Sequence, residues 1–222
     1  MDPTSSDISA LPTELAVFPL RGAILLPRAQ LPLNIFEPRY LAMTEYALGH
    51  GRMVGMVRPR HDDDVNPVLY EVGCAGRITS FMETGDGRFL LTLTGVSRFK
   101  IVGDELLPGG FRQAQIDWAP FAADLAGQQE ENSQLRDRVI ELLMQYLEEV
   151  GLSADWDSIE GASAESIINS VAMTCPFEPD EKQAILEAAS IEHRGETLIA
   201  LMAMAIAKKK QDLDDEGGER LQ

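Results

Sequence analysis

The spacing of apolar residues changes near residue 120. Before that point, short apolar stretches alternate with Gly, Pro and Asp; beyond it, apolar residues recur at helical intervals over long segments. Strands first and helices second predict an α+β chain. Residues 15–20 and 31–36 read as short strands, and the prolines at 19, 27, 32 and 38 confine them to edges or bends. Pro38 suits the first turn of a helix running to about residue 48, with Gly49 and Gly51 as its stop. Residues 52–57 read as another strand. Residues 78–82 and 89–94 flank Gly85-Asp86-Gly87, the turn sequence of a β-hairpin. Ala114, Ile116 and Trp118 then alternate with Gln113, Gln115 and Asp117, which marks a half-buried strand. Five to seven such strands imply a small closed or nearly closed barrel over residues 14–119, preceded by a flexible amino terminus, residues 1–13.

In the second half Leu135, Val139, Leu142, Leu143, Tyr146, Leu147 and Val150 fall on one helical face, so a helix is expected over about 128–150, stopped by Gly151. A second follows over about 164–174, ended by Pro176, and a third runs from Pro179 to about residue 189. Ser190 is placed to cap a fourth, with Lys208, Lys209 and Lys210 at its carboxyl end. These helices make a bundle over residues 120–210. The acidic residues 211–222 have almost nothing apolar to bury and are expected to form a disordered tail. Residues 198–207 are apolar all round. Leu198, Leu201, Met202, Ala205 and Ile206 form the core stripe, whereas Ala200, Ala203, Met204 and Ala207 lie opposite, where a solvated helix would carry charge. A second helix of the bundle is expected to cover this face; the functional alternative is a partner chain or captured peptide, which makes these four the candidate protein-contact residues.

Composition narrows the classes. With 45% hydrophobic residues the chain can bury a core, but its longest apolar run is half of the roughly 20 residues that cross a bilayer. No basic and apolar leader opens the chain, so a cytoplasmic location is expected. The net charge of −17 is uneven: residues 1–120 hold 11 basic and 14 acidic groups, residues 121–222 hold 8 and 22. Nucleic acid is disfavoured for the acidic half. Acid crowding there predicts some carboxylates with raised pKa. Cys74 and Cys175 have no metal or disulfide spacing and read as buried apolar residues. His61-Asp62-Asp63-Asp64 has metal-binding side chains, yet adjacent residues seldom converge on one ion, and a solvated loop is expected. The chain has no G-x-x-x-x-G-K-[ST] loop, no G-x-S-x-G elbow and no H-E-x-x-H pair. Neither a catalytic site nor a metal or other cofactor is expected.

Three blocks stand out together: Phe18-Pro19-Leu20; Pro27; and Leu31 through Phe36-Glu37-Pro38-Arg39-Tyr40. Val72-Gly73-Cys74-Ala75-Gly76-Arg77-Ile78, Asp86-Gly87 and Leu93-Thr94-Gly95-Val96-Ser97-Arg98-Phe99 follow in order. Over residues 14–207 this set resembles the amino-terminal, substrate-recognition domain of the Lon proteases. The resemblance implies a PUA-like β pseudo-barrel followed by a helical bundle, and a domain that captures unfolded or tagged substrates and does no chemistry. It also implies a module standing without the family's ATPase and peptidase, an adaptor in protein quality control whose partner is a protein or unfolded peptide, a protease or a chaperone. The alternative function is RNA binding, since PUA-like barrels occur in RNA-modifying proteins and ten of the fourteen arginines fall in residues 1–120. The signature residues Phe36, Glu37, Pro38, Arg39, Tyr40, Gly95, Arg98 and Phe99 are read as structural. Phe36 is an apolar anchor before a helix that Pro38 starts, and Glu37 lies at its positive end. Arg98 is read as bonding a neighbouring carboxylate or turn carbonyl.

Overall fold

The computed structural model of the chain describes residues 8–60, 67–126 and 132–219, with side chains up to residue 211. His61, Asp62, Asp63 and Asp64 therefore lie outside the described residues. The chain divides into two compact units, Met1–Gln129 and Glu130–Gln222.

The first unit contains six strands, β1 (Glu14–Pro19), β2 (Gln30–Ile35), β3 (Met53–Val57), β4 (Val72–Glu83), β5 (Phe89–Leu106) and β6 (Arg112–Asp117), with one helix, α1 (Pro38–Gly49), between β2 and β3. The sheet order is β2-β5-β4-β3-β1-β6, and β6 also pairs with β5. That last pairing closes β5, β4, β3, β1 and β6 into a pseudo-barrel, with β2 attached to the outer edge of β5. All pairings are antiparallel except β1 with β3, where Ala16 meets Val54. A parallel pair needs a long crossover, and β2 and α1 provide it. Closure requires β5 to be long enough to serve two neighbourhoods. Its first part pairs with β2 and β4, and its second part, from Lys100, pairs with β6.

Inside the barrel Leu15, Val17, Met53, Val57, Phe99, Ile116 and Trp118 pack into one cluster. Phe99 is fully buried, and Gly73 makes room for it, since a Cβ there would lie 2.6 Å from the Phe99 ring. The Trp118 indole N–H donates to the carbonyl of Pro12 at 2.9 Å, because a buried indole needs an acceptor. Of the segment 1–13 expected to be flexible, residues 8–12 are held against the barrel, and residues 1–7 lie outside the described residues. Ile8–Ala10 form a 3-10 turn and Leu11 packs on the core cluster.

The second unit is helical: α2 (Ser133–Val150), α3 (Trp156–Glu160), α4 (Ala164–Thr174), α5 (Pro179–Glu187) and α6 (Ile191–Glu219). Each start has its own device. Asn132 caps α2, Asp155 caps α3, Ser163 caps α4, and Glu178 with Glu181 forms a reciprocal capping box on α5. Gly151 ends α2 in the left-handed conformation. The core joins Val139 and Leu143 of α2, Ile168 of α4, Ile185 of α5, and Leu198 and Met202 of α6.

Two expectations are corrected here. The boundary lies about ten residues beyond 120, because the 3-10 segment Ala119–Leu125 belongs with the barrel unit. The helix α6 continues to Glu219, so Lys208, Lys209 and Lys210 lie within it and its last turn carries no basic residue. Nothing in residues 208–216 breaks a helix, and the first glycines stand at 217 and 218. The short helix α3 is an addition to the expected elements: Arg136 donates to the carbonyls of Ile159, Glu160 and Ala162, satisfying its carboxyl end and the turn after it.

Candidate functional site

The signature residues separate into those with local partners in the fold and Phe36. Pro38 takes the first helical position of α1, and the carbonyl of Glu37 accepts from the backbone N–H of Tyr40 and Leu41. The Glu37 carboxylate accepts from Arg39 Nε at 3.0 Å, and that guanidinium lies 4.7 Å over the Tyr40 ring. Tyr40 is itself buried against Phe18, ring centres 4.3 Å apart. Gly95 is needed for a close approach: a Cβ there would lie 2.0 Å from the carbonyl oxygen of Leu26. Its N–H donates to Ala29 and its carbonyl accepts from Arg28.

Arg98 does find a carboxylate, and a buried one. Its Nε and Nη2 donate to Asp124 at 2.8 Å each, its backbone N–H donates to the same side chain, and the Phe121 ring lies 4.5 Å from the guanidinium. Arg98 is 3% and Asp124 8% exposed. Arg28 adds a bond to the Asp124 carbonyl. This clamp fixes the 3-10 segment after β6 to the middle of β5. Glu37, Pro38, Arg39, Tyr40, Gly95, Arg98 and Phe99 each take part in a helix start, a close approach or a packed contact of this unit.

Phe36 does not. It is 61% exposed, so its reading as an anchor before the helix is wrong. Along β2 exposure alternates, with Gln30, Pro32 and Asn34 outward and Ile35 inward, and Phe36 continues the outward parity. The register places Asn34 opposite Leu90 of β5 and Leu90 opposite Met82 of β4. Leu90 and Met82 are 37% and 55% exposed. Phe36, Leu90 and Met82 therefore share the outer face of three hydrogen-bonded strands. Arg88, paired with Asp86, stands with its guanidinium 5.8 Å from the Phe36 ring. Three apolar side chains thus face outward on one side of the sheet, with the Arg88–Asp86 pair beside them.

The second candidate surface is on α6. Leu198, Met202 and Ile206 are buried, as the stripe predicts, while Ala200, Ala203, Met204 and Ala207 are all exposed, Met204 by 64%. Among the described residues no second helix covers this face, contrary to expectation. Alanine supports a helix by propensity without needing burial, which is why an apolar run does not imply a covered one.

Among the described residues no group of three or more His, Cys, Asp and Glu could hold a metal. Cys74 and Cys175 are buried, and burial pushes the Cys175 thiol up, away from a reactive thiolate. Ser190 Oγ and His193 Nδ1 lie 3.1 Å apart, but Ser190, half-buried, also accepts from the backbone N–H of the exposed His193 in a helix-capping arrangement. Asp86, Asp155 and Glu196 are held below the usual carboxylate range, chiefly by hydrogen bonds from Thr84, Ser158 and Arg138. In the acidic half the expected rise is not what Asp155 and Glu196 do, because local donors outweigh diffuse, screened repulsion. Among the described residues no helix is long and apolar enough to cross a membrane.

Comparison with known proteins places these features in a family. Lon protease 2 of Sorangium cellulosum is 31% identical over 103 residues, 45% of this chain and 12% of that protein. Lon protease 2 of Myxococcus xanthus is 23% identical over 201 residues, 86% of this chain and 24% of that protein. The chain thus spans about a quarter or less of these relatives. The Lon N-terminal domain protein from Xanthomonas campestris matches in structure with a TM-score of 0.59 at 23% identity, covering 85% of this chain and 98% of that one. The N-terminal domain of the Mycobacterium avium complex Lon protease matches with a TM-score of 0.62 at 15% identity, covering 86% and 98%. The substrate-binding domain of ATP-dependent protease La (LON) matches residues 14–204, nearly the whole described chain, and the chain belongs to that family.

Proposed function

We propose that this chain is a non-catalytic module that binds protein segments with exposed apolar side chains, acting in the cytoplasm as an adaptor in protein quality control. Its partner is an unfolded polypeptide, or a protease or chaperone that handles one. The observation that carries the reading is the exposed row Phe36, Leu90 and Met82 on the β2–β5–β4 face. Each side chain can contribute up to about 1.5–3 kcal/mol on full burial, and association costs offset much of that. Weak, reversible capture results, which suits a module that must release what it holds. Ala200, Ala203, Met204 and Ala207 form a second contact surface, where small side chains permit close approach and Met204 adapts in shape.

RNA binding is the weaker reading, since Arg39, Arg88, Arg98 and Arg112 of the barrel unit pair with Glu37, Asp86, Asp124 and Asp104. Reduced, carboxymethylated α-lactalbumin, an unfolded chain, should bind the protein, while native α-lactalbumin should not. Phe36→Ser should weaken the first interaction without lowering thermal stability. Equal retention of both probes would count against the proposal. Casein incubated with the protein, with or without ATP, should stay intact.

A further inference from the structure

The outer edge of the barrel unit's sheet is β2, whose one strand neighbour among the described residues is β5. The ladder fixes which way its backbone groups point. Gly95 donates its N–H to the carbonyl of Ala29, in the register that continues with Gln30 opposite Thr94 and Leu31 opposite Leu93. Bonded positions alternate in an antiparallel pair, so Ala29, Leu31, Leu33 and Ile35 turn their backbone groups to β5. Gln30, Pro32 and Asn34 turn theirs the other way, and all three are exposed. The open side therefore offers the carbonyls of Gln30, Pro32 and Asn34 and the N–H groups of Gln30 and Asn34, at the spacing of a further strand. Leu31 and Leu33, of the inward parity, are only half-buried, because the sheet stops beside them. The outward parity ends on the exposed Phe36.

We propose that an extended segment of an unfolded polypeptide binds by adding to this edge as a strand beside β2. The inference rests on the reading that the chain captures such polypeptides, and it specifies the manner of capture. Main-chain hydrogen bonds supply the affinity, so many sequences are accepted. Side chains of the segment then lie beside Phe36 on one face and over Leu31 and Leu33 on the other. The edge itself selects this occupant. A helix or a folded surface has already made its backbone bonds, whereas an extended, unpaired segment carries the matching donors and acceptors. Pro32 decides between such a segment and a second copy of this chain. Its ring removes one donor from the edge, a loss that an incoming segment meets once. Two β2 edges paired with each other would meet it twice, with both rings at the contact, and proline on an edge strand disfavours that kind of self-association.

The test is fluorescence anisotropy of the full chain with labelled peptides of one sequence, roughly eight residues of alternating Val and Ser, the length of a strand. One peptide is unmodified, one is N-methylated at every Val and one at every Ser. A strand turns alternate N–H groups toward a given neighbour. Methylation of one set should therefore lower affinity roughly tenfold or more, the worth of a backbone hydrogen bond or more, and methylation of the other set should leave it nearly unchanged. Asn34→Pro removes an N–H that the β2–β5 ladder does not use, so it should keep the melting midpoint and bind the unmodified peptide roughly tenfold less tightly. Equal affinity for the three peptides overturns the proposal, as does equal loss from both methylated sets or undiminished binding by a folded Asn34→Pro. A dimer of this chain that Asn34→Pro abolishes and the peptide does not disrupt assigns the edge to a second copy and overturns it too. If the three peptides bind alike and Phe36→Ser weakens them all, the apolar surface stands while strand addition falls. Retention of unfolded α-lactalbumin with no peptide bound also overturns strand addition alone; with neither bound, both readings fall.

Discussion

The two units reach order by different routes. In the helical unit, apolar residues repeat with the helical period, ends are capped by local side chains, and most core residues are interchangeable members of a stripe. In the barrel unit, closure depends on a few singular contacts: Gly95 under the 26–29 turn, Phe99 against Gly73, and the Arg98–Asp124 clamp. A stripe degrades gradually when one member shrinks. A singular contact has no substitute nearby, so its loss should be felt in full. The same contrast separates the two candidate surfaces, since the row on the sheet is held by cross-strand register and the α6 face only by helical phase.

The largest expected effect follows from the clamp. Asp124→Asn leaves the Arg98 guanidinium buried without its counter-charge and should cost about 3–5 kcal/mol in urea unfolding. The paired change Arg98→Met with Asp124→Leu should recover much of that, because both buried charges go together. A loss below about 1 kcal/mol for Asp124→Asn would remove the distinction between the units. Met202→Ala, in the α6 stripe, should cost about 2–4 kcal/mol through a cavity, and the volume-conserving Met202→Leu less than about 1.5 kcal/mol. Equal losses from those two variants would mean that the bundle is as exacting as the barrel. Met204→Glu, two residues further along the helix, should leave stability within about 0.5 kcal/mol. A circular-dichroism melt checks it, and a large loss would mean that the face is covered.

The smallest effect concerns pH. The Arg138 guanidinium holds the exposed Glu196 carboxyl below its ordinary value of 4.5, so the pair adds stability above that value and loses it as pH falls through the depressed one. Melts of wild type and Glu196→Gln should differ slightly at neutral pH and converge in acid. A difference that grows below pH 4.5 would reverse the sign argued here.

How far each feature was legible in the sequence follows the same division. The stripe of α2, the Pro-opened α1 and α5, the hairpin at Gly85-Asp86-Gly87 and the alternation of β6 are local patterns, and the sequence carries them openly. Ring closure through β5 and β6 and the parallel β1–β3 pair are not local, and no period encodes them. Asp124 stands 26 residues from Arg98 in a 3-10 segment without hydrophobic rhythm, so that Arg98 needed a partner was readable but which partner was not. Phe36 was misread because an apolar residue before a helix-opening proline resembles an anchor. Its even parity with Pro32 and Asn34, opposite to Ile35, was the available signal. The uncovered α6 face was misread because alanine counts as apolar in a wheel yet gains little from burial.

The outward apolar row of the barrel sheet is the surface proposed to hold protein. Titration of unfolded, carboxymethylated α-lactalbumin against wild type, the double variant Phe36→Ser with Met82→Ser, and Met204→Glu tests it most directly, with melts run in parallel. The double variant should keep the wild-type melting midpoint and lose roughly tenfold or more in affinity, about 1.4 kcal/mol or more, while Met204→Glu loses less. Undiminished binding by a folded double variant would contradict the claim.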